Sequence, residues 1–276
     1  MRLIIFLTSM ALAALANAQS DSTWMYRGTR YVLDAGIPRE YLKSFDSLLT
    51  ATKRFDYLSD ECNLDNTIYL PEKTFVFDYY FEKGGRRFKL NTNGRLVLAT
   101  DTAARTIRHI GYQIEHGNCM GMTQVKYQYR VKEGIDDLFE VSGIIENKLV
   151  TWLHPPRSLY FGSLEVLPFP YYDNLAARNG QAWHWDLLIG NENYLSFIPG
   201  NVETLNNRCT YRVVAQETRP VLSKLLPCDV VEGVARNEVG EARLKAWYNE
   251  TYGFVRWEGV NVDGGVWWFE LVSVEK

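Results

Sequence analysis

Past Pro71 the apolar positions of the chain fall two apart rather than three or four. Phe75, Phe77, Tyr79 and Phe81 share one face of an extended segment, and Val125, Tyr127, Tyr129 and Val131 alternate with Lys126, Gln128, Arg130 and Lys132. Such alternation marks antiparallel strands with one wet face. The same period, with short apolar runs, continues through 139–145, 149–153, 182–189, 194–198, 209–217, 228–235, 254–260 and 266–274, giving about thirteen strand candidates. Lys83-Gly84-Gly85-Arg86, Asn93-Gly94 and Asp263-Gly264-Gly265 supply the turns of tight hairpins.

Two segments carry a different period. Leu42, Phe45, Leu48, Leu49 and Phe55 recur at helical spacing behind Pro38, which predicts an amphipathic helix over 38–59. Residues 241–250 are rich in helix formers and read as one short helix ended near Gly253. No alternation of strand and helix follows, so the fold class is mainly β: a large antiparallel curved sheet, barrel or half-barrel, alternatively a sandwich, with an N-terminal amphipathic helix. Pro155-Pro156 and 168–180 are expected to form an irregular excursion. In 266–272, Trp267, Phe269 and Leu271 line one face while Val266, Trp268 and Val272 line the other. Both sides of that strand then call for apolar cover, from a helix or second sheet on one side or from a ligand in an apolar cavity.

The first eighteen residues read as an export leader, with Arg2, an apolar run from Leu3 to Leu15, and small residues at Ala16 and Ala18 before a cut. The run is too short to span a bilayer, and Gln19 rather than Cys follows it, so the expectation is a secreted or periplasmic protein without a lipid anchor and not integral to the membrane. Residues 19–276 are expected to form a single β-rich domain. The chain carries 30 Lys and Arg against 33 Asp and Glu, and its basic pairs are surrounded by carboxylates, which excludes a nucleic-acid footprint. Aromatic residues make up 14% of the chain, enough to build a thick ring-filled interior. In an exported chain the four cysteines suggest two disulfides. Of the three possible pairings, Cys62 with Cys119 and Cys209 with Cys228 each fall within one run of neighbouring strands.

Few side chains suggest chemistry. In a strand, His184 and Asp186 share a face, opposite Trp183 and Trp185, and could act as a base oriented by an acid; they could equally form an ordinary surface pair. The nucleophile is missing, since Ser163 lacks the second glycine of a nucleophile elbow. His154-Pro155-Pro156-Arg157 is a stiff corner that could hold His154 and Arg157 towards an anionic group. Phosphate-loop, dinucleotide, zinc-helix and calcium-loop patterns are absent, and His109 and His116 fall on opposite faces of one strand, so no cofactor or metal is expected.

Thr151-Trp152-Leu153-His154-Pro155-Pro156-Arg157, Leu167-Pro168-Phe169-Pro170, Trp183-His184-Trp185 with Ile189-Gly190, and Tyr248-Asn249-Glu250-Thr251-Tyr252-Gly253-Phe254-Val255 resemble an uncharacterised family of secreted, β-rich bacterial proteins. The resemblance covers roughly residues 140–276 and implies an envelope setting with no mechanism. Three functions compete. The first is a non-enzymatic protein holding a lipid or other amphipathic molecule inside the sheet, with Trp183, Trp185, Trp267, Trp268, His154 and Arg157 as ligand-binding candidates. The second is a surface module contacting envelope glycan or protein. The third is a hydrolase using His184 and Asp186.

Overall fold

A computed structural model describes residues 23–26, 29–32, 66–101, 105–115, 123–146, 150–156, 161–190 and 204–276. The leader, the helix expected over 38–59, the strand expected over 194–198, Cys62, His116, Cys119 and Arg157 lie outside the described residues. The strands are β1 (Thr23–Tyr26), β2 (Thr29–Val32), β3 (Thr74–Lys83), β4 (Arg86–Leu90), β5 (Leu96–Leu98), β6 (His109–Ile114), β7 (Thr123–Val131), β8 (Gly134–Glu146), β9 (Val150–Leu153), β10 (Tyr171–Asp173), β11 (Trp183–Gly190), β12 (Thr204–Val221), β13 (Lys224–Asn237), β14 (Gly240–Asn249), β15 (Gly253–Val260) and β16 (Val266–Glu275). A short helix, α1 (Asn174–Arg178), joins β10 to β11 and is capped by Asp173, whose carboxylate accepts from the amides of Leu175 and Ala176.

Strands β3 to β16 form one 14-stranded antiparallel sheet in the order β10-β9-β8-β7-β6-β3-β16-β15-β14-β13-β12-β11, with β4 and β5 continuing from the far half of β3; β1 and β2 make a separate hairpin beside β11. The expected turns form: Gly84 and Gly85 link β3 to β4, and Gly264 lies between β15 and β16, all three at positive φ. The C-terminal strand pairs with β3 in mid-sheet, so the two ends of the sheet, β10 and β11, are neighbours in sequence. They meet through rings. Trp152 of β9 lies edge-on to Trp185 of β11 at 5.4 Å, Tyr171 of β10 lies 6.1 Å from Trp183, and Tyr172 stacks on Tyr248 at 4.0 Å while its hydroxyl donates to Asp229. The sheet is thus a nearly closed barrel sealed by aromatic contacts.

The irregular excursion expected at Pro155-Pro156 and 168–180 holds only in part, since 171–178 forms β10 and α1, while the segment between, 161–169, becomes the barrel's filling. Phe161, Leu164, Val166, Leu167 and Phe169 are each at most 1% exposed, and residues Gly162–Val166 make a single 3-10 turn. Phe161 sits among Trp267, Tyr79, Tyr129 and Phe269 at ring distances of 5.3 to 6.2 Å. Trp267 Nε1 donates to Ser163 Oγ at 3.0 Å, and Asn207 Nδ2 donates to the Glu165 carbonyl at 3.1 Å. Two wall positions are glycines where this plug comes close: Gly259 beneath Leu167, and Gly233, where a β-carbon would stand 3.1 Å from Pro168 Cβ.

Three expectations are corrected. In the segment 241–250, residues 241–249 belong to strand β14: Ala242, Leu244 and Ala246 point inward at 0 to 2% exposure, and pairing to both β13 and β15 overrides the local helix preference. Cys209 and Cys228 are free, buried thiols. Cys209 lies opposite Ala235 whereas Cys228 lies opposite Glu217, so about eight residues of strand, roughly 25 Å, separate them. A disulfide needs α-carbons within about 7 Å. Strand β16 has one covered face only: Trp267, Phe269 and Leu271 are buried, while Val272 is 46% exposed and neither a helix nor a second sheet covers that side among the described residues.

Candidate outer-face site

The sequence-predicted residues separate onto two sides of the wall. Trp183, Trp185 and Trp267 point inward at 2 to 5% exposure and belong to the core. His184 and Asp186 point outward from β11 and are exposed; His184 Nδ1 lies 3.1 Å from Thr210 Oγ1, and Asp186 stands opposite Arg208 in the ladder. The two side chains therefore meet different cross-strand neighbours on an open surface. His154 is buried at 1%, its Nδ1 donating to the Pro155 carbonyl at 2.6 Å and its Nε2 facing Glu165 Oε1 at 3.7 Å, while its own carbonyl accepts from Tyr127. Trp152 and Phe169 pack their rings on it at 5.8 and 4.7 Å. The residue that joins His154, Glu165, was missed in the sequence, where it is a single acid inside the apolar run Leu164 to Leu167.

Trp268 is different. It stands on the outer face opposite Tyr80, the two rings stacked at 5.4 Å and 20°. Arg87 covers the far face of Tyr80 at 4.3 Å, and Arg256 covers Trp268 at 4.8 Å. Arg256 also lies 5.0 Å from the ring of Trp247, which in turn carries Arg219 and Lys245, each at 4.8 Å. The result is a ladder of rings and cations standing on β3, β16, β15 and β14. In the next row along the strands, Trp247, Arg256, Glu270, Asp78, His109 and Arg130 are consecutive cross-strand partners from β14 to β7. Burial is the main cause that lowers the pKa of His109, with Asp78 opposing it.

Between the two rows lies a shallow cleft of about 60 Å³ lined by Asp78, Tyr80, Arg256, Trp268, Phe269 and Glu270. Asp78 and Glu270 face each other in register, an unfavourable pairing of like charges unless each is neutralised. Each is: Lys89 Nζ sits 2.7 Å from Asp78, and Arg219 donates to Glu270 at 3.2 Å. Arg256 is held by Glu258 at 2.6 Å. The Trp268 indole N–H is shut from solvent and meets no acceptor among the described residues.

Arg219 reaches Glu270 from the long β12–β13 hairpin. Beyond the bulge between Val213 and Ala215 this hairpin curls across the outer face: Trp247 Nε1 donates to Glu217 at 2.8 Å, and Asn249 Nδ2 donates to the Pro227 carbonyl at 2.8 Å. Asn249, the acceptor position of a glycosylation triplet, is thereby 5% exposed and fully engaged, its Oδ1 accepting from Thr251 and Tyr252 amides.

No family model and no curated relative matches the sequence. Several solved structures superpose on it, among them the following three. One is a Bacteroides fragilis protein described as exported with a YmcC-like fold, at 12% identity and a TM-score of 0.43 over 75% of this chain and 97% of that one. The second is a Parabacteroides distasonis protein described as a lipoprotein, at 12% identity and 0.42 over 76% and 100%. The third is the hypothetical lipoprotein YmcC of Escherichia coli, at 10% identity and 0.34 over 84% and 95%. All three are described as exported proteins or lipoproteins, and likenesses of this degree assign the chain no function.

Proposed function

We propose that this chain is an exported, non-enzymatic protein of the bacterial envelope that works as an interaction module from the outer face of its sheet. Export rests on the leader Met1 to Ala18. The observation that carries the rest is the plug: Phe161, Leu164, Val166, Leu167 and Phe169 occupy the interior that an apolar ligand would need, and glycines in the wall make room for them. Burying each such side chain contributes about 1.5–3 kcal/mol, so exchanging the plug for a ligand forfeits a large part of the stability of a domain. The hydrolase reading receives no support from His184 and Asp186, whose neighbours are Thr210 and Arg208.

Native mass spectrometry tests this. Protein recovered from its own envelope and then incubated with a lipid extract is expected to show the mass of the polypeptide alone. A stoichiometric apolar adduct that survives desalting would overturn the reading in favour of an internal carrier.

A further inference from the structure

We propose that the open edge of strand β8, centred on Phe139 and Val141, is where a basic, extended segment of another protein adds a strand to the sheet. The inference rests on the outer-face reading and names its partner.

The prolines create the edge. Strand β9 accompanies β8 only over Ile144 to Glu146, and the His154 amide adds one bond to the Gly143 carbonyl at 3.2 Å. Pro155 and Pro156 have no N–H to continue the ladder, and both are buried as the chain turns towards the plug. Among the described residues nothing pairs with β8 on that side from Gly134 to Ser142. Alternation then fixes where each backbone group points. The Gly143 carbonyl faces β9, and the Gln124 carbonyl opposite it faces β6, where it accepts from the Glu115 amide. Ser142 and Glu140 therefore turn their N–H and C=O to β7, while Val141 and Phe139 turn theirs to the open edge. Unpaired donors and acceptors in strand geometry are met in full by one kind of partner, another extended backbone.

The side chains suit the same occupant. Val141 and Phe139 stand opposite Lys126 and Gln128 on the outer face and are 39% and 56% exposed. Lys126 lies 4.6 Å from the Phe139 ring and leaves it open on the edge side. An edge that carries exposed apolar side chains is a template for strand addition, which sheets without a partner avoid.

Charge selects the strand that binds. Residues 134–142 include three acids and no base. Arg105 lies 3.6 Å from Asp136, and Glu140 accepts from the Tyr129 hydroxyl, whereas exposed Asp137 has no cation beside it among the described residues. A second copy of this edge would bring acids towards acids. A strand bearing lysine or arginine sets its charge beside Asp137 instead.

The test is NMR of the isotope-labelled protein. Without a partner, the Phe139 and Val141 amides are expected to exchange with solvent at least about tenfold faster than those of Glu140 and Ser142. A capped peptide of about seven residues, alternating lysine and valine, should move the Phe139 and Val141 amide signals with a millimolar or tighter Kd and slow their exchange. The same peptide with glutamate for lysine is expected to bind about tenfold more weakly, and the lysine peptide N-methylated at its valines not at all. Val141→Pro removes an edge donor and no ladder bond, so at unchanged melting temperature it should weaken binding about tenfold. The N-methylated peptide reads the same bonds on the unaltered protein. The proposal is overturned if the two amides are already protected, if the lysine peptide leaves their signals in place at about 10 mM, or if the glutamate or N-methylated peptide binds equally well. A dimer in sedimentation that Val141→Pro abolishes would give the edge to a second copy and overturn it too. An unresponsive edge with an empty interior removes this site alone, whereas a lipid-filled interior removes the outer-face reading beneath it.

Discussion

A β-carbon placed on Gly259 would stand 2.3 Å from Leu167 Cδ1, so the strand β15 wall and the plug are cut to each other's shape. Nothing larger than hydrogen fits at position 259 without moving the plug. Gly259→Ala is therefore expected to destabilise the protein by about 1–3 kcal/mol, and Leu167→Ala by about 2–5 kcal/mol through the cavity it leaves. In the double variant the costs should fall short of their sum, because the smaller side chain makes room for the added methyl. Chemical denaturation of the four proteins measures this, and strict additivity would show that the two positions do not touch.

The Glu146 carboxylate gathers the chain before β3. Oε1 accepts from the Thr67 and Ile68 amides at 2.7 and 2.8 Å and from Thr67 Oγ1 at 3.0 Å, and Oε2 accepts from the Tyr69 amide at 2.8 Å. An amide side chain offers one acceptor oxygen in place of two. Glu146→Gln is expected to cost about 2–3 kcal/mol, read from the same denaturation midpoints, since at least one buried amide loses its partner. An unchanged midpoint would mean that the cradle contributes nothing.

Burial pushes the Cys209 thiol up to about 12, with Asp186 adding to the rise and Tyr211 opposing it. Burial also raises Cys228, against the pull of Arg219. Thiolate is the reactive form, so at pH 8 the folded protein should leave both cysteines unalkylated by iodoacetamide, and both should react once it is unfolded without reductant. Peptide mass mapping checks this. A Cys209–Cys228 bridge in the unreduced protein would contradict the strand register itself.

Arg130 grips Glu275 through two bonds of 2.8 Å, which hold the Glu275 carboxyl below its ordinary value of 4.5. A carboxylate depressed in the folded state adds stability above its unfolded pKa and loses it as pH falls through the folded value. The pair is partly exposed, so the gain is below about 1 kcal/mol. Glu275→Gln should lower the denaturation midpoint slightly at pH 7, and the difference should shrink as the pH falls below the ordinary carboxyl value of 4.5. A gap that widens on acidification would reverse the sign of the argument.

Intact-mass analysis of the protein recovered from its native source tests the proposed export and the expected lack of a lipid anchor together. The expected chain begins at Gln19 and carries no lipid. A mass that retains Met1 to Ala18, or that includes acyl chains, would contradict the reading of the leader.

Much of the sheet was legible because alternation is a local property: Phe75 to Phe81 and Val125 to Val131 bury the sides their spacing assigns. The 241–250 segment misled because its helix formers also alternate, and only its neighbours β13 and β15 decide between the two. The plug was not legible, since an apolar run broken by Pro168 and Pro170 says nothing about which surface it enters. The outer cleft was half legible. Tyr80 lies between the inward Tyr79 and Phe81 and must face out, and Trp268 likewise, but their meeting depends on β16 returning to β3 from the far end of the chain. Asp78, Glu270 and Arg256 join them through the same long-range pairing.

The most direct measurement of the central claim is a set of NMR contacts from the Phe161 ring. The account predicts cross-peaks to Trp267, Tyr79 and Tyr129, with Phe161 signals unaffected by a soluble paramagnetic agent. A Phe161 ring that is broadened by that agent and shows none of these contacts would mean that the barrel is open and its interior free for a ligand.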